Sequence, residues 1–199
     1  MSLFRRVIPS LTLAVFLAAL SPTPAWAGPD AEQFIKDKQG ELTTLLKRGK
    51  ATGQDGQVAK VFDTMLDYQT LAQDSLNEHW SELSDQQKKE FSDILKRLVQ
   101  RAYRHSLDKT LGYDVSYRGH VEKDSGTLVQ TQASNRTNNR EEPISIDYLL
   151  RDAGGQWLVV DIVTEGSSLV KSYRSQFNRI IKKEGFDALV RRMKAKLDS

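Results

Sequence analysis

The spacing of apolar residues changes twice along this chain, and these changes limit its fold more than any other feature. Up to Gly112 the apolar side chains recur about every 3.6 residues, as on one face of a helix. Between Gly112 and Gly166 they alternate with polar residues at a period of about 2, as in half-buried strands. After Gly166 the helical spacing returns. The order of helices, strands and helices predicts an α+β domain.

Several helices are predicted before Gly112. The first ones lie at residues 30–47, at 58–66 and, as two short pieces, within 67–80. Ser84 begins the longest helix, which should run to about Leu111 and contact its surroundings on two sides. The Ser84 hydroxyl can accept from the backbone N–H of Gln87 while the Gln87 side chain reaches back, which is a capping box.

Four sequential strands are predicted in the middle of the chain. They lie at residues 115–121, 127–133, 144–150 and 157–163. The short polar turn at 123–126 predicts an antiparallel hairpin from the first two. The fourth is apolar on both faces apart from Asp161, which suits an interior strand covered on both sides. The predicted fold is therefore α+β, with a four-stranded curved antiparallel sheet covered by helices.

Two more helices are predicted after the strands. The first should end at Gly185, which is typical of a C-terminal cap in the left-handed αL conformation. The second follows at once and buries apolar residues between Phe186 and Leu197. Its pattern indicates that both helices pack on the rest of the domain through one face.

The N-terminal residues have the order of a secretory leader. A basic segment ending at Arg6 is followed by the apolar run 11–20, which is well short of the roughly 20 residues that cross a bilayer. Ala25 and Ala27 provide the small residues that a signal peptidase reads. We expect a signal peptide at residues 1–27, removed on export to the periplasm.

The expected mature chain, residues 28–199, suits one domain with a single core. The sequence contains no cysteine, so disulfides, thiol catalysis and thiolate metal sites are excluded. Without Arg5 and Arg6 of the leader, the formal net charge falls from +3 to +1. A nearly balanced charge and an exported location predict that nucleic acid is not a partner.

Residues that support catalysis are few. The three histidines, His79, His105 and His120, fall in different elements without metal-ligand spacing, so no metal site is predicted. Asp147 and Asp161 on neighbouring strands resemble an acid/base pair, but Asp147 alternates out of phase with its apolar neighbours. An isomerase or hydratase that uses Asp161 in an apolar pocket stays open as an alternative.

Basic residues are concentrated in the last two predicted helices. They are Lys171, Arg174, Arg179, Lys182, Lys183, Arg191, Arg192, Lys194 and Lys196. A solvated helix face explains such a pattern, and so does a surface for an anionic lipid headgroup or an acidic protein.

Two groups of short motifs carry a resemblance to a known family. The first group is Phe62-Asp63, Asp67-Tyr68-Gln69-Thr70-Leu71-Ala72, Trp80, Leu83-Ser84-Asp85-Gln86-Gln87 and Phe91. The second is Ile146-Asp147-Tyr148, Trp157, Val160-Asp161-Ile162 and Glu165-Gly166-Ser167-Ser168-Leu169-Val170-Lys171-Ser172-Tyr173-Arg174-Ser175-Gln176-Phe177. Together they resemble MlaC, the family of toluene-tolerance periplasmic phospholipid carriers. The chain departs from the family at Asn77, where a glycine is usual, and at Ser167, where valine is frequent.

The resemblance implies an apolar cavity between the helices and the sheet. Phospholipid would be cargo there, not a cofactor, and the protein would not be an enzyme. It would shuttle lipid between the outer and inner membranes, as part of an ABC-type system that maintains outer-membrane lipid asymmetry. The implied partners are an inner-membrane ABC transporter with an MCE-domain protein and an outer-membrane lipoprotein complex.

Inward residues of the predicted helices and strands are candidates to line that cavity. They are Leu98, Tyr103, Val115, Tyr117, Val129, Ile146, Tyr148, Val159, Leu169, Tyr173 and Phe177. Lys171 and Arg174 are candidates for the headgroup or for a partner. The same inward residues would equally fill a solid core, as in an envelope adaptor that carries nothing.

Overall fold

The computed structural model of the chain describes residues 30–48, 54–138 and 140–198. Six α-helices lie in this part of the chain: α1 (Ala31–Lys47), α2 (Gln54–Met65), α3 (Tyr68–Leu76), α4 (Asp85–Thr110), α5 (Leu169–Glu184) and α6 (Phe186–Asp198). A 3₁₀ helix, Asn77–Glu82, joins α3 to α4. The strands are β1 (Tyr113–Lys123), β2 (Gly126–Asn135), β3 (Ile144–Asp152), β4 (Trp157–Thr164) and β5 (Ser167–Ser168). The predicted signal peptide, residues 1–27, lies outside the described residues.

Polar side chains fix where several helices begin. Gln87 N donates to Ser84 Oγ at 3.3 Å and Ser84 N donates to Gln87 Oε1 at 3.0 Å, so the predicted capping box of α4 is confirmed. Asp30 caps α1 through Glu32 N. Asp67 caps α3, because its carboxylate accepts from Thr70 N at 2.9 Å.

The strands form one antiparallel sheet in the order β1-β2-β3-β4-β5. The four predicted strands and the hairpin between the first two are confirmed. The predicted count is wrong, because β5 adds a fifth strand by pairing with the end of β4. With only two residues, β5 is too short to show the alternation by which strands are recognised in a sequence.

A bulge in β1 changes which face its residues use. Tyr117 is opposite Thr131 but Gly119 is opposite Gln130, so Arg118 is the extra residue. The shift moves Val121 to the face of Leu128, away from Tyr117. The continuous alternation predicted from residue 115 to 121 is therefore wrong beyond the bulge, since one inserted residue reverses the face of those that follow.

The outer edge of β4 is closed by the chain itself. Leu66 forms a parallel bridge with Val159, and Asp67 N donates to Val159 O at 3.0 Å. Further along β4, Val163 and Thr164 pair with β5. Val159 and Val160 are accordingly 0% and 2% exposed, and the predicted interior position of the strand is confirmed, since β4 lies between β3 and β5.

The helices cover one face of the sheet and share a core with it. Phe91, Leu95 and Val99 of α4 are buried between α3, α6 and the sheet. The rings of Phe91 and Phe177 of α5 pack edge to face, with their centroids 5.5 Å apart. Gly185, between α5 and α6, has a positive φ of 84°, as predicted, but its ψ of 167° is not that of the αL cap.

Asn77, at the end of α3, has a strained backbone. Its φ of 51° and ψ of −117° belong to a region that glycine reaches without a steric cost. This is the position where the resembling family usually has glycine. The backbone at the end of α3 therefore has a conformation that suits glycine better than asparagine.

We expect Asn77→Gly to stabilise the protein by about 1 kcal/mol, because relief of the strain exceeds the added freedom of the unfolded chain. Urea unfolding measures the change. Glu78→Gly is the matched control, since Glu78 follows in the 3₁₀ helix and its φ is not positive. Equal effects of the two substitutions would contradict the account of strain at Asn77.

Candidate functional site

The apolar residues on the helix-facing side of the sheet differ in their exposure to solvent. Leu150 and Val159, which are opposite each other, are both 0% exposed. Tyr148 and Ile146, further along the same face of β3, are only half-buried. Val115 of β1, on the face shared with Tyr117, is 40% exposed. An apolar face that is covered by helices yet incompletely buried is one that a ligand can share.

The residues predicted to line the cavity differ in how deeply they are buried. Val129, Val159 and Phe177 belong to the closed core. The half-buried ones are Leu98, Tyr103, Tyr117, Ile146, Tyr148, Leu169 and Tyr173. Val115 lies at the exposed end. An enclosed cavity is not defined among the described residues, so the predicted cavity and its lining stay predictions.

Gln39 is a polar residue of this region that the sequence reasoning missed. Its Nε2 donates to the hydroxyl of Tyr148 at 3.1 Å, and its Oε1 accepts from the hydroxyl of Tyr117. The amide thus ties α1 to β1 and β3 across β2. The available signal was its spacing, four residues after Ile35 and three before Leu42, within the buried stripe of α1.

Tyrosine side chains dominate the interior of this region. Burial raises the pKa of the Tyr148 hydroxyl and of the Tyr117 hydroxyl, so both are neutral proton donors at physiological pH. The pKa of Tyr103 is raised first by burial and then by the neighbouring Tyr148, Tyr173 and Asp161. The hydroxyl of Tyr103 is therefore also neutral at physiological pH.

The carboxylate of Asp161 accepts hydrogen bonds from groups within the fold. Its Oδ1 accepts from Ile162 N at 2.8 Å and from Val170 N at 3.1 Å, and its Oδ2 accepts from Ser168 Oγ. Ser168 in turn caps α5 by accepting from Lys171 N at 3.0 Å. The buried carboxylate therefore fastens the N-terminus of α5 to β4, where the helix dipole also favours a negative charge.

Asp147 lies apart from the helix-facing surface. It is opposite Val163, and its Oδ1 accepts from Thr131 N at 3.1 Å. With Arg118 and Gln132 it borders an open depression of about 260 Å³. Both oxygens of Asp161 meanwhile accept from β4, β5 and α5, so the structure gives the two aspartates separate structural contacts.

The histidines are also dispersed. The Nδ1 atom of His79 lies 3.3 Å from Oε2 of Glu82, and Nδ1 of His120 lies 3.9 Å from Oδ1 of Asp30. The side chain of His105 lies outside the described residues. Within residues 30–48, 54–138 and 140–198, no three His, Asp or Glu side chains are grouped so that they could hold a metal ion. Over the same ranges, no helix combines the length and apolar character that a membrane span requires.

The two predicted headgroup residues differ in their surroundings. Arg174 Nε donates to Asp74 O at 2.8 Å, which links α5 to α3. Lys171, in the first turn of α5, is exposed. The structure thus gives Arg174 a contact within the fold and leaves Lys171 on the surface. Their contact with a headgroup or partner stays a prediction.

A family model described as the MlaC protein matches residues 36–195 of this chain. The chain belongs to the MlaC family. A comparison with curated proteins finds no match. In fold, the chain is similar to the phospholipid-binding protein from Ralstonia solanacearum, whose structure was solved in complex with a phospholipid. The TM-score is 0.73 at 24% identity, over 85% of this chain and 99% of the other.

The motifs of the MlaC resemblance have clear structural roles here. Asp67 caps α3, and Leu71 and Ala72 are buried in the core. In the second motif, Ser168 caps α5 and Tyr173 stacks on Phe177 with their ring centroids 5.2 Å apart. These motifs therefore hold the helices onto the sheet around the half-buried face.

We expect Asp161→Asn to lower the free energy of unfolding by about 1 to 3 kcal/mol, because one oxygen that accepts from Ser168 is lost in a buried position. Urea unfolding measures the loss. Asp147→Asn is the control, since it keeps an oxygen for Thr131 N at a half-buried site, and its effect should stay within about 0.5 kcal/mol. An unchanged stability of Asp161→Asn would contradict the structural role.

Proposed function

We propose that this protein is a non-enzymatic carrier that binds phospholipid between its helices and its sheet. Membership of the MlaC family supports the proposal, together with the incomplete burial of Ile144, Ile146 and Tyr148 on the helix-facing surface. The fold is shared with a protein described as phospholipid-binding, which is consistent with the same use here. Asp161, the candidate for an enzymatic base, is engaged by Ile162, Ser168 and Val170.

A carrier requires little from its side chains beyond an apolar surface. Removing about 30 methylenes of two acyl chains from water at about 0.8 kcal/mol each would exceed any known affinity if it were the net gain. The actual exchange is between a bilayer and a protein interior, which are both apolar. The net free energy can therefore be near zero, so that a partner determines whether lipid is loaded or released.

The location and partners follow from the same proposal. A signal peptide at residues 1–27 would send the protein to the periplasm. There it would exchange phospholipid with an inner-membrane ABC transporter containing an MCE-domain protein and with an outer-membrane lipoprotein complex. The direction of transport would then be set by the energy-coupled partner, since a passive carrier binds lipid in both directions.

The charge distribution supports docking to acidic surfaces as a further part of this function. From Leu169 to Asp198 the chain has nine basic and three acidic side chains, although the whole chain has a net charge of only +3. Arg192 pairs with Glu184 and Lys194 with Glu90. Lys182 and Lys183 are exposed and form no ion pair within the described residues. An adaptor that carries no lipid would use the same surface.

We expect Ile146→Trp to reduce the phospholipid retained after incubation with vesicles to less than about half, because the indole fills space on the half-buried face. Phosphate analysis after gel filtration measures the retained lipid. Leu128→Trp is the matched control, since Leu128 lies on the opposite face of β2. Equal retention by both folded variants would contradict the proposed binding face.

We expect Lys182→Glu combined with Lys183→Glu to slow association with the MCE-domain protein about tenfold at low salt. The difference should disappear at high salt, because exposed charges are screened. Surface plasmon resonance over a salt series measures the rates. Lys60→Glu combined with Lys123→Glu is the control, with the same charge change at other exposed positions. Equal slowing by both pairs would contradict a local docking surface.

A further inference from the structure

Strand β1 is the open edge of the sheet. The order β1-β2-β3-β4-β5 places it at one end, and within residues 30–48, 54–138 and 140–198 its only strand partner is β2. The far side of β4 is different, because Leu66, Asp67 and β5 cover it. About half of the backbone N–H and C=O groups of an edge strand point away from its neighbour. β1 therefore offers unpaired backbone groups along a strand of 11 residues.

The side chains of β1 leave this edge accessible. Val115 and Val121, which are 40% and 44% exposed, are the exposed large apolar residues of the described part of the chain, and both lie on β1. Charged side chains protect many sheet edges. On β1, however, Nε of Arg118 donates to Gln132 at 3.1 Å, and Glu122 likewise contacts β2. These charges are directed toward the sheet and not across its edge.

The bulge at Arg118 limits which strand can pair with the whole edge. Opposite residues of an antiparallel pair have their side chains on the same face of the sheet. Tyr117 is opposite the buried Thr131 on the helix-facing side, and beyond the extra residue His120, opposite the buried Val129, takes that side. A regular strand would match the faces of β1 on one side of the bulge only.

A second copy of β1 meets this requirement along the whole strand. When two copies run antiparallel with their bulges opposite each other, Tyr117 lies opposite His120 of the second copy. Two residues further out, Val115 lies opposite Glu122 of the second copy. In both pairs the two residues use the helix-facing side. The matched bulges therefore keep the faces in agreement on both sides of a two-fold axis.

The charges in this register are complementary. Asp114 lies opposite Lys123 of the second copy, and the two-fold axis produces this pair twice. Both side chains are exposed, on the face away from the helices. The two copies of Arg118 lie near the axis, where each is held toward Gln132 of its own β2. No other opposed pair along β1 joins two like charges.

We propose that two copies of this chain pair through β1, antiparallel and with Asp114 opposite Lys123, so that their two five-stranded sheets become continuous. The contact pairs the outward backbone groups and covers Val115 and Val121. A single strand pair is a small interface, so the dimer is weak, with a dissociation constant on the order of 10 to 100 μM. The pairing requires no lipid, so its test is independent of the proposed function.

Sedimentation velocity over a concentration series measures the association. We expect Lys123→Glu to weaken the dimer about tenfold, because two pairs of opposite charges become pairs of like charges. Asp114→Lys should weaken it to a similar extent for the same reason. Lys60→Glu is the matched control, since it makes the same charge change at an exposed position of α2, and it should leave the association unchanged.

A mixture of the Lys123→Glu and Asp114→Lys variants tests the register itself. In the mixed dimer each acidic side chain is again opposite a basic one. We expect the mixture to associate about as strongly as the unaltered protein, although each variant alone is mainly monomeric. Circular dichroism confirms that both variants are folded.

Three results would overturn the proposal. One is an unaltered protein that stays monomeric at about 1 mM, where even a weak specific contact is populated. Another is a dimer that Lys123→Glu leaves unchanged, because such a dimer uses a different surface. The third is a mixture of the two variants that fails to associate, since the strands would then not pair in this register.

Discussion

The attachment of the helix layer to strand β4 determines how the rest of the molecule packs. The carboxylate of Asp161 holds the N-terminus of α5 through Val170 N and Ser168 Oγ. On the same strand, Leu66 and Asp67 attach the junction of α2 and α3 to Val159. These attachments share one strand, and the apolar side chains of Val159 and Ile162 on that strand are buried.

Away from β4 the layers are held by fewer and more polar contacts. The amide of Gln39 joins α1 to Tyr117 and Tyr148, whose rings are only half-buried. Val115, at the exposed end of this face, is not covered. Partly exposed apolar side chains on β1 and β3 are places where a ligand could add contacts without displacing the buried core.

Much of the fold could be predicted from local patterns. The capping box at Ser84 and the hairpin around residues 123–126 are signals of a few adjacent residues, and both were predicted correctly. The family was also identified from motifs. The bulge at Arg118 and the short strand β5 were missed, because each depends on pairing with a distant segment that leaves no periodic signal. The spacing of Gln39 placed it within the buried stripe of α1, but its hydrogen-bond partners lie 78 and 109 residues away in sequence and no local pattern identifies them.

The central claim is that the space between the helices and the sheet carries phospholipid. Native mass spectrometry of the exported protein, purified without detergent, tests it most directly when combined with solvent extraction of the same sample. The account predicts a mass increment of diacyl phospholipid in near-stoichiometric amount, which disappears on extraction. A lipid-free protein that also takes no phospholipid from vesicles would contradict it, and would favour an adaptor that works through its basic helices.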